Sequence, residues 1–158
     1  MEKRFWMKLS TKGRYGLRAL IDLALYSEEE AVSISSIAKR QNISDRYLEQ
    51  LVSKLKKANL VKSMRGAGGG YMLAKSATDI SVGDILRALE GNLDAVACTG
   101  THESSECQSA DLCVTRYVWQ RINDSITEAV DGIMLEQLVE ESRRVQKKSK
   151  DAPSVCNV

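Results

Sequence analysis

The stretch Ser33–Ala74, SISSIAKRQNISDRYLEQLVSKLKKANLVKSMRGAGGGYMLA, decides the fold. Two short helical patterns, ISSIAKR and DRYLEQLVSKLKK, meet at a tight corner at Gln41-Asn42-Ile43, and a two-stranded ribbon with a glycine-rich tip follows them. In the second pattern Leu48, Leu51, Val52 and Leu55 recur at spacings of three and four, so they share one face and point to a core. Ser44 is a suitable N-cap, and Asp45 supplies the negative charge that a helix dipole favours in its first turn. The opposite face carries Arg46, Gln50, Ser53, Lys54 and Lys57. Arginine, glutamine and serine near the start of an exposed helix can hydrogen-bond base edges in a major groove, while lysine farther along reaches phosphate. An ordinary solvated face has the same composition, so this helix alone does not separate the two readings.

The ribbon does. Leu60–Met64 and Tyr71–Ala74 read as short strands, joined by Arg65-Gly66-Ala67-Gly68-Gly69-Gly70 through backbone conformations that glycine permits. A phosphate-cradling nucleotide loop would need a Lys-Ser or Lys-Thr that is missing here, and a dinucleotide fingerprint would need a helix where Tyr71-Met72-Leu73 reads as strand. A slim loop led by Arg65, with Gly66 and Gly68 keeping it thin, suits a minor groove or the backbone beside it, although a plain hairpin turn has the same appearance. The expected fold is mostly α (α+β): a winged helix-turn-helix with a two-stranded wing, over residues 7–91, extended by a long dimerisation helix.

Working outward, Thr11–Ser27 reads as a buried scaffold helix through Leu17, Leu20, Ile21, Ala24 and Leu25, with Lys12, Arg14 and Arg18 able to touch a DNA backbone. Ser81-Val82-Gly83-Asp84 resembles a capping box that opens a short helix ended by Gly91. Residues 92–113 read as an irregular segment, and such a long loop usually has a function. From about Leu112, Val114, Val118, Ile122, Ile126, Ala129 and Val130 form one apolar stripe of a long helix. A second copy of the same helix is the simplest cover for it, giving a homodimer; packing on its own domain is the alternative. Residues 112–145 therefore read as a dimerisation helix plus a following short helix, and residues 146–158 as a loose tail with Pro153.

The charge pattern agrees. Net charge is only +2, but residues 39–65 hold eight basic residues against two acidic ones, and residues 76–142 hold thirteen acids against three arginines. The basic half suits a polyanion such as double-stranded DNA. With 43% hydrophobic and 28% charged residues the composition is ordinary globular, and the apolar run at Gly16–Tyr26 is broken by Arg18 and Asp22 and is too short for a bilayer. With no secretory signal pattern, the expected location is the cytoplasm, without membrane contact. There thiols stay reduced, so the four cysteines are not expected to form a disulfide framework.

Cys98, Cys107 and Cys113 are separated by eight and then five residues, which is not the paired spacing of common structural zinc sites. Three thiolates on a loop that leads into a helix can ligate iron, and imidazole can complete such a set. His102, the one histidine of the chain, lies in the same loop. Spacing alone leaves a metal cluster and a thiol switch both open. An enzyme has little support, because no acid–base constellation surrounds that histidine.

The chain from Met7 to about Glu141 resembles the IscR, NsrR and CymR superfamily of bacterial transcription regulators, its IscR-type members most closely. The carrying motifs are MKLSTKGRYGLRAL, ISDRYLEQLVSKLKKANLV, SMRGAGGGYMLA, SVGDILRALEG and the cysteine loop ending in CVTRYVW. The resemblance implies a homodimeric winged-helix repressor. Its IscR-type members hold a [2Fe-2S] cluster on the three cysteines, received from the iron–sulfur cluster assembly machinery, and regulate cluster-assembly genes. Ser44, Arg46, Tyr47 and Gln50 match recognition-helix positions, and Arg65 matches the wing arginine. NsrR-type relatives hold [4Fe-4S], so that cluster is the alternative; CymR-type relatives hold none, which leaves a cluster-free thiol- or zinc-responsive regulator as the alternative function. One departure stands out. IscR-type proteins have a ligand histidine three residues after the last cysteine, where this chain has Arg116, and a guanidinium cannot bind iron. His102 is the first candidate for the fourth ligand and Glu49 the second.

Overall fold

The computed structural model describes residues 10–96 and 112–151. Its elements run α1 (Thr11–Tyr26), α2 (Ile34–Gln41), α3 (Asp45–Lys57), β1 (Val61–Met64), β2 (Gly70–Leu73), a 3₁₀ turn at Ala77–Asp79, α4 (Val82–Glu90), α5 (Val114–Asp131) and α6 (Leu135–Asp151). The strands form an antiparallel pair with Val61 opposite Leu73 and Met64 opposite Gly70. This is the winged helix-turn-helix expected from Ser33–Ala74.

Local chemistry sets each boundary. Ser33 and Ser44 accept from the amides of Ser36 and Tyr47, so both helices of the motif start on a serine N-cap. The corner between them is Asn42, in the left-handed region at φ 53°. Asparagine tolerates that conformation better than other residues with a Cβ. A second asparagine, Asn59 at φ 57°, turns the chain from α3 into the wing. Ser81 and Asp84 complete a reciprocal capping box at the start of α4.

The core joins Leu20 and Leu23 of α1, Ile37 of α2, Leu48, Leu51 and Leu55 of α3, Val61 of β1, and Ile85 and Leu89 of α4, all almost wholly buried. Beside β2, Val32 and Tyr71 exchange backbone hydrogen bonds of 2.9 and 2.8 Å, a single-residue third strand beyond the two read from the sequence. Gly70 makes this approach possible, since a Cβ there would lie 2.5 Å from the Val32 carbonyl oxygen.

The C-terminal part differs from expectation in two ways. First, α6 folds back onto the winged domain: Leu135 and Val139 are buried in the same core, and the Leu135 amide donates to the Ile80 carbonyl at 2.8 Å. Arg143 also pairs with Glu28 just after α1. Second, α6 runs on to Asp151, through residues 146–151 that the sequence pattern assigns to a tail. The reason is compositional: residues 135–151 contain neither glycine nor proline and are rich in strong helix formers, and Pro153 lies beyond them. Among the described residues no helix is long and apolar enough to cross a membrane.

Candidate nucleic-acid interface and cysteine segment

With Leu48, Leu51, Val52 and Leu55 buried, the 3.6-residue period puts Arg46, Gln50, Ser53 and Lys57 on the opposite strip of α3, and all four are exposed. Among the described residues none forms a hydrogen bond or ion pair with Arg46, Gln50 or Lys57, so their donors are available to an outside partner. Asp45, by contrast, accepts from Ser35 at 2.6 Å and fixes the start of α3 against α2.

The wing lies beside α3, with Lys56 reaching Ser63 of β1 at 2.8 Å. Arg65 and Gly66 are exposed at its tip, and Gly66 has φ +113°, a conformation that a side chain would strain. Gly68 has an ordinary φ, and a Cβ there would meet nothing within 4 Å. The fold itself does not demand a glycine at Gly68.

Three residues expected on the interface are engaged within the chain. The Lys54 ammonium donates to the Leu89 carbonyl at 2.8 Å, at the C-terminal end of α4. Position 54 lies on the flank of α3, next to the core-facing Leu51 and Leu55, where α4 packs. Tyr47 is half-buried, its ring edge-on to Tyr15 with centroids 6.1 Å apart and its hydroxyl 3.3 Å from Thr11 Oγ1. Arg18 of α1 donates to the side chain and the backbone carbonyl of Gln41 at 3.1 and 3.2 Å, holding the end of α2. Below it, buried Asp22 receives Arg40 at 2.6 Å and Gln41 at 2.8 Å. The Asp22 bonds raise the Arg40 pKa above its ordinary value, and that guanidinium also stacks 4.2 Å from the Tyr26 ring. One ion pair and the hydrogen bonds of Gln41 therefore brace α2 against α1.

Of the cysteine segment, Cys98, His102 and Cys107 lie outside the described residues. Cys113 is described, at the N-cap of α5. Its Sγ lies 3.1 Å from Thr115 Oγ1, and its pKa is lowered, first by that hydrogen bond, then by the Arg116 amide and, more weakly, by the Arg116 charge. A thiol held toward thiolate at a helix N-terminus suits the ligating form of cysteine. Among the described residues no three His, Cys, Asp or Glu side chains converge, and Glu49 lies exposed on α3. Arg116 sits half-buried beside the thiol, where it can offset negative charge but offers no lone pair to a metal.

One residue escapes the sequence reading. Asn123, the buried side chain of α5, accepts from the Ala95 amide at 2.8 Å and so ties the chain just ahead of the cysteine segment to the long helix. A mid-helix asparagine between Ile122 and Ile126 is the signal that could have found it, because asparagine is a poor helix former and needs a reason to be there. On the other side of α5, Tyr117, Val118, Ile122, Ile126 and Ala129 line an open apolar groove.

A buried helical core, an exposed polar strip on the second helix of the motif and a thin basic wing define a DNA-binding transcription regulator of the winged-helix class. The profile of the Rrf2 family, described as an iron-dependent transcriptional regulator, matches residues 9–141. The chain belongs to the Rrf2 family. It is 45% identical over 133 residues to the HTH-type transcriptional regulator IscR of Pectobacterium carotovorum, covering 84% of this chain and 79% of that protein. The solved structure of IscR from T. potens is 45% identical, has a TM-score of 0.71, and overlaps 88% of this chain and 90% of that one. CymR (YrzC), the global cysteine regulator of B. subtilis, is similar at 43% identity and a TM-score of 0.68, over 85% and 97% of the two chains. These relatives are regulators of transcription, and the chain is a regulator rather than an enzyme.

Proposed function

We propose that the protein is a homodimeric repressor whose DNA affinity or site choice is controlled by an iron–sulfur cluster held by Cys98, Cys107 and Cys113. The resemblance to IscR-type regulators favours [2Fe-2S] over [4Fe-4S], cluster-assembly genes as targets and the assembly machinery as donor. The observation that carries the reading is the position of Cys113. Cys113 stands at the N-cap of α5, where the described chain resumes after the cysteine segment, and α5 exposes an apolar stripe fit for a second copy. Cys98, Cys107 and Cys113 would hold the cluster, which when bound would supply iron-dependent, redox-active chemistry there. Thr115 and the first amides of α5 hold the Cys113 sulfur toward thiolate, and Arg116 offsets the added negative charge. His102 is the first candidate for the fourth ligand and Glu49 the second, since Arg116 cannot serve.

On the DNA side, Arg46 and Gln50 would read base edges. Ser44 and Tyr47 would meet the backbone near the α3 N-terminus, and Arg65, Gly66 and Gly68 would pass along the duplex as the wing. Whatever the segment's two states are, they alter DNA binding only by their differential affinity for it. The direct test is anaerobic purification, with iron, sulfide and the visible spectrum measured, followed by binding to DNA selected from a random pool. The expected result is a coloured protein with iron and sulfide, and a Cys98, Cys107 and Cys113→Ala variant that loses both and changes affinity or site preference. Colourless, iron-free wild-type protein would favour the thiol- or zinc-responsive alternative, and unchanged binding by the variant would remove the sensory role.

A further inference from the structure

We infer that Lys54 is a positioning residue, a strut that couples the recognition helix to the root of the cysteine segment, and not a phosphate contact. The inference rests on the cluster-control reading above and names the element through which that control reaches DNA.

The last carbonyls of a helix have no intrahelical partner, and the C-terminal end of the helix dipole is negative. At the end of α4 the Lys54 ammonium takes up the Leu89 carbonyl at 2.8 Å, so a residue of the DNA-reading helix caps the neighbouring helix. On the other side of the same end, the Glu90 carboxylate accepts from Ser10 Oγ at 2.5 Å and from the Gly13 amide at 2.8 Å, which fixes α4 to the start of α1. The chain then leaves through Gly91, whose amide donates to Arg87, into an Asx turn in which the Asp94 amide donates to Asn92 Oδ1 at 2.9 Å. The next residue, Ala95, is the one held by Asn123 of α5.

Hydrogen bonds, joined by the covalent chain from Gly91 to Ala95, thus link α3 to the end of α4 and that end to α5, and the cysteine segment follows this turn. A change in the path of the chain after Ala95 pulls on Gly91 and the α4 end, and the Lys54 bond passes the displacement to α3. Arg46, Gln50 and Lys57 make no such bond among the described residues, so the flank position of Lys54 makes its charge-assisted hydrogen bond the polar link between α3 and this junction. The roles of strut and phosphate contact make opposite predictions.

The experiment compares full-length wild type, Lys54→Met and Lys54→Arg, each cluster-loaded and chelator-stripped, on DNA selected from a random pool by the wild type, across a potassium chloride series. A strut predicts that in Lys54→Met the ratio of loaded to stripped affinity collapses toward one, while the slope of log affinity against log salt stays at the wild-type value. Lys54→Arg, which can still donate to the Leu89 carbonyl, should restore the ratio. A phosphate-binding role predicts the reverse: both states weaken alike, the ratio survives, and the slope falls by about 0.9 for each phosphate that is no longer neutralised. That outcome overturns the proposal and leaves cluster control intact. Equal affinities of loaded and stripped wild type would instead overturn cluster control, and the strut with it.

Discussion

At Cys113 a single side chain shows how placement converts an ordinary residue into a chemical one. Its sulfur lies 3.1 Å from the Thr115 hydroxyl, and that hydrogen bond first, with the nearby α5 backbone and the Arg116 charge, lowers the thiol pKa below its ordinary value. A pKa depressed by folding adds stability that is present above the unfolded value and lost as pH falls through the folded one. In a cluster-free variant with Cys98, Cys107 and Cys156 changed to serine, the alkylation rate of Cys113 by iodoacetamide should therefore rise at a lower pH than that of a free thiol. Thr115→Val should move the midpoint upward; a midpoint at the ordinary value in both proteins would deny the hydrogen bond its role. At this scale the sequence is only partly legible. The outward strip of α3 can be read because a buried face defines its opposite, and Arg46 and Gln50 are exposed where the period puts them. The direction of Lys54 cannot, because periodicity fixes only its flank position, and whether a carbonyl waits there depends on where α4 ends. Asn123 stands out as a mid-helix asparagine, but its partner, the backbone amide of Ala95, leaves no mark in sequence.

At the level of elements, legibility follows local chemistry. Ser33, Ser44 and Ser81 mark helix starts because a capping side chain bonds an amide only two or three residues on, and all three do so. The Val32 bridge to Tyr71 and the return of α6 to the core are not legible, since each depends on contacts far apart in the chain. In α6 the charged residues after Ser142 suggest a loose tail, yet arginine, glutamine and lysine are also good helix formers and nothing before Pro153 interrupts them. The stripe of α5 is the element-level feature with the plainest consequence. Val114 and Tyr117 are 87% and 66% exposed, and Ile122 and Ile126 are only half-buried, which a solvent-facing helix would not favour without a partner. The account predicts a dimer by analytical ultracentrifugation, converted to a folded monomer by Ile122→Glu with Ile126→Glu. A wild-type monomer, or a doubly substituted dimer, would assign the stripe another role.

For the whole molecule, the segregation of charge matches the division of labour. The basic residues cluster in the motif and wing, and the acids lie mainly in the segments after the wing, so the electrostatic attraction of DNA falls on one part of the subunit. Through α5, two copies would present two α3 strips to paired half-sites, as helix-turn-helix dimers do. The central claim is that these strips read sequence and do not merely hold phosphate. The measurement that tests it most directly is the affinity of Arg46→Ala and Gln50→Ala for DNA selected from a random pool by the wild type, set against random DNA at the same salt. Each substitution should lose about tenfold to a hundredfold on the selected site and change little on random DNA. Equal losses on both would contradict it, and would make α3 a clamp on the backbone.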